Sequence, residues 1–154
     1  MSDERYVKTY SVSWDQLQRE CRQLAAELSR LRRWNRLIAV ARGGLVPAAL
    51  MAQELQIKLV DTVCISSYTL KSQGDLTVLK RPDLEGVDEN CLIIDDLVDT
   101  GKTAQVVREM FPQAYFATVY AKPEGRPLVD KFVTEVSQNT WIIFPWEPSH
   151  SPIL

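Results

Sequence analysis

The sequence predicts an α/β fold, a mostly parallel twisted sheet flanked by helices. Three observations carry this. Residues 37–41 (LIAVA) run through Arg42-Gly43-Gly44 into a helical pattern. Residues 91–94 (CLII) run through an acidic, glycine-containing loop into a second one. Further apolar runs at 59–68, 76–79 and 115–121 alternate with these helices. Strands alternating with helices build a parallel sheet, and such sheets bind ligands beyond the carboxyl ends of their strands.

The elements follow in order. Ser13 opens a helix, and Gln16 completes a capping box. Trp14, Leu17, Cys21, Leu24, Leu28 and Leu31 form one apolar stripe for packing on the sheet. Arg30, Arg32 and Arg33 suit the negative end of that helix. After the strand at 37–41, Pro47 fits the first turn of a helix reaching about Leu55. The segments 59–68 and 76–79 read as a hairpin whose polar connection and exit carry Lys71, Lys80 and Arg81, cations able to close over an anion. Residues 83–90 are an acidic connector. The helix after Thr103 ends at Pro112, and strands follow at 115–121 and around Phe132-Val133. Residues 141–146 (WIIFPW) are aromatic and apolar, whereas 147–154 carry no usable pattern.

Bulk properties exclude several function classes. At 154 residues, 45% hydrophobic and 25% charged, the chain fits one domain, 1–154, with a sizeable core. A net charge of −2 without a basic stripe argues against nucleic acid. No apolar run approaches the roughly 20 residues of a membrane helix, and MSDERYVKTY is too polar for a secretory signal. Cys21, Cys64 and Cys91 are far apart and set in apolar patterns, as expected of reduced, buried thiols in a cytoplasmic protein. The one histidine, His150, lies in the patternless tail, which argues against histidine catalysis.

The chemistry concentrates in 91–110, CLIIDDLVDTGKTAQVVREM. An apolar strand ends in Asp95 and Asp96, a third acid stands at Asp99, and the turn Thr100-Gly101-Lys102-Thr103 opens a helix. Carboxylates hold a hard cation or ribose hydroxyls, and amides at a helix start hold phosphate. Together they point to a sugar-phosphate substrate with magnesium. Gly101-Lys102-Thr103 looks like the end of a nucleoside-triphosphate P-loop, but Asp96 stands where that motif needs its first glycine. No GxGxxG follows a strand. A phosphoacceptor reading of Asp95-Asp96 leaves the Gly-Lys-Thr turn unexplained.

DDLVDTGKT resembles the phosphoribosyl-diphosphate (PRPP) motif of type I phosphoribosyltransferases. With ARGGLVPAAL, DTVCISSY, LKR, YAKPEGRPLVD and TWII…PW, the chain is similar from about Tyr6 to Trp146 to the bacterial xanthine-guanine branch of that family. Lys102 departs from that branch, which commonly has a second glycine there, and the tail after Glu147 does not match. The resemblance implies the type I phosphoribosyltransferase fold, with a small purine-binding hood drawn mainly from about 122–154. It implies transfer of the phosphoribosyl group of PRPP to guanine and xanthine, with hypoxanthine weaker, giving GMP, XMP, IMP and diphosphate. Arg42 and Gly43 would bind diphosphate, with a strained peptide before Gly43. Arg81, with Lys80, would add charge there. Asp95 and Asp96 would hold the ribose hydroxyls, with Asp96 nearer Mg²⁺. Thr100, Gly101, Lys102 and Thr103 would cradle the 5-phosphate, and Leu97, Val98 and Asp99 would also belong to the PRPP-binding stretch. Asp99 would be the catalytic base beside the reacting purine nitrogen. Lys122 would donate to the 6-oxo group, Trp141 would stack on the ring, and the Ile142 backbone would meet the 2-substituent. A homotetramer, in some descriptions peripheral to the inner membrane, also comes from the family alone. Two other readings remain: a hypoxanthine-guanine enzyme, and a PRPP-sensing regulator without turnover.

Overall fold

A computed structural model describes residues 6–68 and 75–148; Lys71, His150 and the end of the tail lie outside them. Twelve elements follow one another. The strands are β1 (Lys8–Ser11), β2 (Arg36–Ala41), β3 (Val60–Tyr68), β4 (Asp75–Lys80), β5 (Cys91–Val98), β6 (Tyr115–Ala121), β7 (Lys131–Glu135) and β8 (Thr140–Ile143). The helices are α1 (Trp14–Ser29), α2 (Leu45–Leu55) and α3 (Lys102–Met110), and a 3-10 turn covers Arg126–Leu128. The main sheet has six strands in the order β4-β3-β2-β5-β6-β7, all parallel except the β3–β4 hairpin. The expected α/β architecture is therefore present.

Alternation along the central strands divides the core in two. Leu37 and Ala39 of β2, with Leu92 and Ile94 of β5, pack against Leu17, Cys21, Leu24 and Leu28 of α1 and Met51 of α2. Ile38, Val40 and Ile93 face the other way, onto Val107 of α3, Phe111 and Phe116. Ser13 caps α1 as its sequence predicts, accepting from the Gln16 amide at 3.1 Å. The ends of the apolar stripe do not join the core. Trp14, at the first turn, is 54% exposed, and Leu31, beyond the helix end, is 49% exposed. The arginines expected to cap α1 also fall outside its last turn. Arg32 instead donates to the Glu89 carbonyl at 2.6 Å and lies over Trp34 and Tyr115.

Two features depart from the sequence pattern. Strand β5 continues through Asp95, Asp96 and Leu97 to Val98, because β6 pairs it that far, with Asp95 opposite Thr118 and Val98 opposite Ala121. The acids therefore sit on a strand end, not in a loop. The second departure is a two-stranded parallel sheet joining β1 to β8, with Tyr10 opposite Ile142. The segment above the main sheet thus draws on both ends of the chain, while β7 belongs to the main sheet.

Polar and aromatic contacts tie α1 to β6, β7 and β1 and pack the chain after β8. Tyr120 donates to Glu20 on α1, whose other oxygen accepts from Thr134 at 2.7 Å. Gln16 donates to the Tyr10 hydroxyl at 2.7 Å, and Phe144 stacks on Trp146 with centroids 4.7 Å apart. All three cysteines are free, with Cys64 only half-buried. No helix among the described residues is long and apolar enough to cross a membrane.

Burial pushes the Cys21 thiol up to about 12 and the Cys91 thiol up to about 11, from an ordinary 9.0. The folded chain keeps these protons where the unfolded chain gives them up. Their contribution is intact below the ordinary thiol value and lost as pH rises through the raised ones. Urea midpoints should therefore fall steadily above about pH 9, and Cys21→Ala should flatten that slope.

Candidate active site

Three adjacent strands, β2, β5 and β6, end at one edge of the sheet and carry most of the candidate residues. Beyond β2, the Arg42-Gly43-Gly44 turn packs down onto the end of β5. A Cβ on Gly43 would lie 2.6 Å from Asp96 Oδ2, and one on Gly44 would lie 2.4 Å from the Ile94 carbonyl oxygen. Both positions require glycine because backbone and carboxylate approach closely. Arg42 itself is exposed and makes no ion pair among the described residues. The Ala41–Arg42 peptide leading into this turn is cis.

Asp95 is buried, and its Oδ1 accepts from the Asp96 amide at 2.8 Å. Burial pushes both carboxyls above the usual range, and the charge of Asp96 raises Asp95 further. Neither acid has a basic side-chain partner among the described residues. Two desolvated carboxylates facing a glycine turn suit a hard divalent cation. No cluster of three or more ligating side chains exists among the described residues, so water and ligand oxygens would complete the shell. The chain's own donors therefore fit Mg²⁺ held jointly with a phosphorylated ligand.

Gly101 turns the chain into α3 with φ of 98°, a left-handed conformation that favours glycine. No side chain caps the helix, so its first-turn amides lack intrahelical acceptors. An anion binds at such an end. Leu97 and Val98 reach this turn as the last residues of β5, and Thr100 is exposed beside it.

The structure joins Asp99 to Lys122. Lys122 follows β6, is 1% exposed, and places Nζ 3.1 Å from Asp99 Oδ2. A lysine so buried requires a counter-charge. Two further donors hold the same carboxylate: Tyr6 Oη to Oδ2 at 2.9 Å, and Gln138 Nε2 to Oδ1 at 2.7 Å. Gln138 Oε1 also accepts from the Glu124 amide at 2.9 Å, tying the 122–125 turn to the 137–139 turn. Trp141 lies half-exposed on β8 with its ring 5.1 Å from that of Tyr6. Ile142, next along β8, turns its side chain into the core and pairs with Tyr10 of β1. Neither Tyr6 nor Gln138 carries a sequence signal; each reaches Asp99 from more than thirty residues away.

Lys80 and Arg81 stand apart. Lys80 Nζ is taken by Asp61 Oδ1 at 2.7 Å and by the Thr62 carbonyl at 2.9 Å. Asp61 also faces buried Arg36 at 3.6 Å. Arg81 follows β4 at the edge of the sheet, exposed, with no contact to the β5 loop among the described residues.

Gly44→Ala should cost about 1–3 kcal/mol, since backbone on both sides must shift to admit the methyl group. Urea denaturation of the variant against the parent chain measures it.

Residues 13–152 match the phosphoribosyl transferase domain. The chain is 57% identical over 148 residues to xanthine-guanine phosphoribosyltransferase of Desulfotalea psychrophila, covering 96% of this chain and 91% of that protein. It is 56% identical over 147 residues to the Chromohalobacter salexigens protein of the same name, covering 96% and 89%. The structure of a purine phosphoribosyltransferase from Pyrococcus horikoshii superposes with a TM-score of 0.78 at 27% identity, covering 96% of this chain and 98% of that one. With the domain matched over nearly its whole length and relatives this similar, the chain belongs to the phosphoribosyl transferase domain family.

Proposed function

We propose that this chain is a purine-salvage enzyme that transfers the 5-phosphoribosyl group of PRPP to guanine and xanthine, and more weakly to hypoxanthine. The products are GMP, XMP or IMP, and diphosphate. One observation carries the site reading. Half-buried Asp99, paired with buried Lys122, stands beside a turn able to bind phosphate and beside two acids without cationic partners. The relatives' names support the choice of bases.

The chain's residues divide the work. The Thr100–Thr103 turn and the first amides of α3 receive the 5-phosphate. Asp95 and Asp96 hold the ribose hydroxyls and oppose the positive charge that develops on the sugar as its bond to diphosphate stretches. Arg42 and the Gly43 amide receive the diphosphate, and Arg81 adds charge if its edge approaches. Asp96 is the proposed protein ligand of Mg²⁺, which when bound neutralises diphosphate charge. An oriented donor on the growing anion is worth about 3–4 kcal/mol. Lys122 donates to the 6-oxo group and so disfavours adenine, whose 6-amino group is a donor. Trp141 stacks on the ring, worth about 1–3 kcal/mol. Asp99 takes the proton that the attacking ring nitrogen loses. One domain performs all of this, with the hood lying over the purine side, and we expect a cytoplasmic homotetramer.

Chromatographic assays with PRPP, Mg²⁺ and each base test the reading. Nucleotide should form from guanine and xanthine, and chelation should abolish it until Mg²⁺ is restored. Failure with xanthine alone would indicate a hypoxanthine-guanine enzyme, and failure with every 6-oxopurine would refute the proposal.

Asp99→Ala should lower turnover far more than PRPP affinity, by about 10²–10⁴-fold in kcat. Because alanine strands the buried Lys122 ammonium, Asp99→Asn is the cleaner variant. Equal losses of kcat and PRPP affinity would contradict the base assignment.

A further inference from the structure

Three contacts converge on Tyr6, two residues before β1. Its hydroxyl donates to Asp99 Oδ2 at 2.9 Å. Its ring centroid lies 4.6 Å from Lys122 Nζ. Its ring meets that of Trp141 at 5.1 Å, inclined by 66°. These partners are the three side chains assigned above to the purine.

The phenol offers each partner what a 6-oxopurine offers. Trp141 receives an aromatic ring, Asp99 receives a donor hydrogen, and the ammonium of Lys122 receives an electron-rich partner. The two ligands cannot share the space. A ring inserted between Tyr6 and Trp141 needs about 7 Å, two layers of van der Waals contact, and the centroids are 5.1 Å apart. Lys122 is 1% exposed, so its ammonium cannot meet a base while the phenol covers it.

The attachment of Tyr6 permits exchange. Val7 is 70% exposed and contributes nothing to the core. The Val7 and Lys8 amides donate to the Asn139 carbonyl at 2.9 and 3.3 Å, and the β1–β8 ladder begins at Lys8. The β1–β8 ladder therefore does not depend on where the Tyr6 ring lies.

We propose that Tyr6 occupies the purine subsite in the base-free enzyme and is exchanged for the incoming base, so that it sets base affinity by competition. The proposal rests on the assignment of Asp99, Lys122 and Trp141 to the purine. Apparent base affinity is then reduced by the fraction of molecules in which the phenol is home.

Steady-state kinetics with guanine and xanthine at saturating PRPP and Mg²⁺ test it. Tyr6→Ala should lower the KM for base by about three- to tenfold, the gain expected when a competing state is removed, with the KM for PRPP unchanged. Tyr6→Phe, which keeps the ring and loses the donor to Asp99, should lower it less. In protein labelled with fluorotyrosine, the resonance missing from Tyr6→Phe should shift when GMP is added. A base KM that rises or stays constant in Tyr6→Ala, or a Tyr6 resonance indifferent to GMP, overturns the proposal. If Trp141→Ala and Lys122→Met leave the base KM unchanged, the purine-site assignment itself fails, and the competition falls with it.

Discussion

A lysine ammonium removed from water needs a counter-charge, and the active end of this molecule is arranged around meeting that need. Lys122 is held by the end of β6, so Asp99 must be delivered to it from the end of β5. The Lys122 amide bonds the Val98 carbonyl at 2.9 Å and fixes the distance between the two strand ends. Gln138 then takes the other carboxylate oxygen and ties in the turn before β8. Loop, hood and N-terminal arm all meet at one carboxylate. Once either charge is buried, the other cannot leave without stranding it.

On the last residues of β5, just before Asp99, charge is handled in the opposite way. Asp95 is buried and Asp96 half-buried against a glycine turn without a cation, so their ionised forms are disfavoured until something positive arrives. One strand end thus carries a carboxylate whose needs are met within the fold and two whose needs are left to the ligand. Within five residues of sequence, one carboxylate is compensated inside the fold and two are left open to a cation.

What could be read from sequence was what neighbours in the chain determine. The strand–glycine–helix units, the Ser13 cap and the Pro47 helix start all followed from local periodicity and turn chemistry. What escaped depends on distant partners. Strand β1 is four residues long and exists only because β8 pairs with it from the far end of the chain. The extension of β5 through the acids depends on β6, since isolated aspartates argue for a loop. Lys80 read as a free cation because Asp61, its partner, lies on the preceding strand with no spacing rule to announce it. For the same reason Tyr6 and Gln138 carried no signal as candidate residues. Lys122 and Trp141 could be singled out only through resemblance to a family, since a lone lysine and a core aromatic look ordinary in isolation.

The pairing of β1 with β8 has a practical consequence. The strands are parallel, and β1 begins opposite Thr140, beside the turn that carries Gln138. Protein engineered upstream of Tyr6, such as an uncleaved affinity tag or a fusion partner, would therefore be joined close to Asp99, Lys122 and Trp141. A tag there could alter apparent base preference without touching any residue of the enzyme. Comparisons of substrate choice among orthologues are accordingly best made on untagged chains.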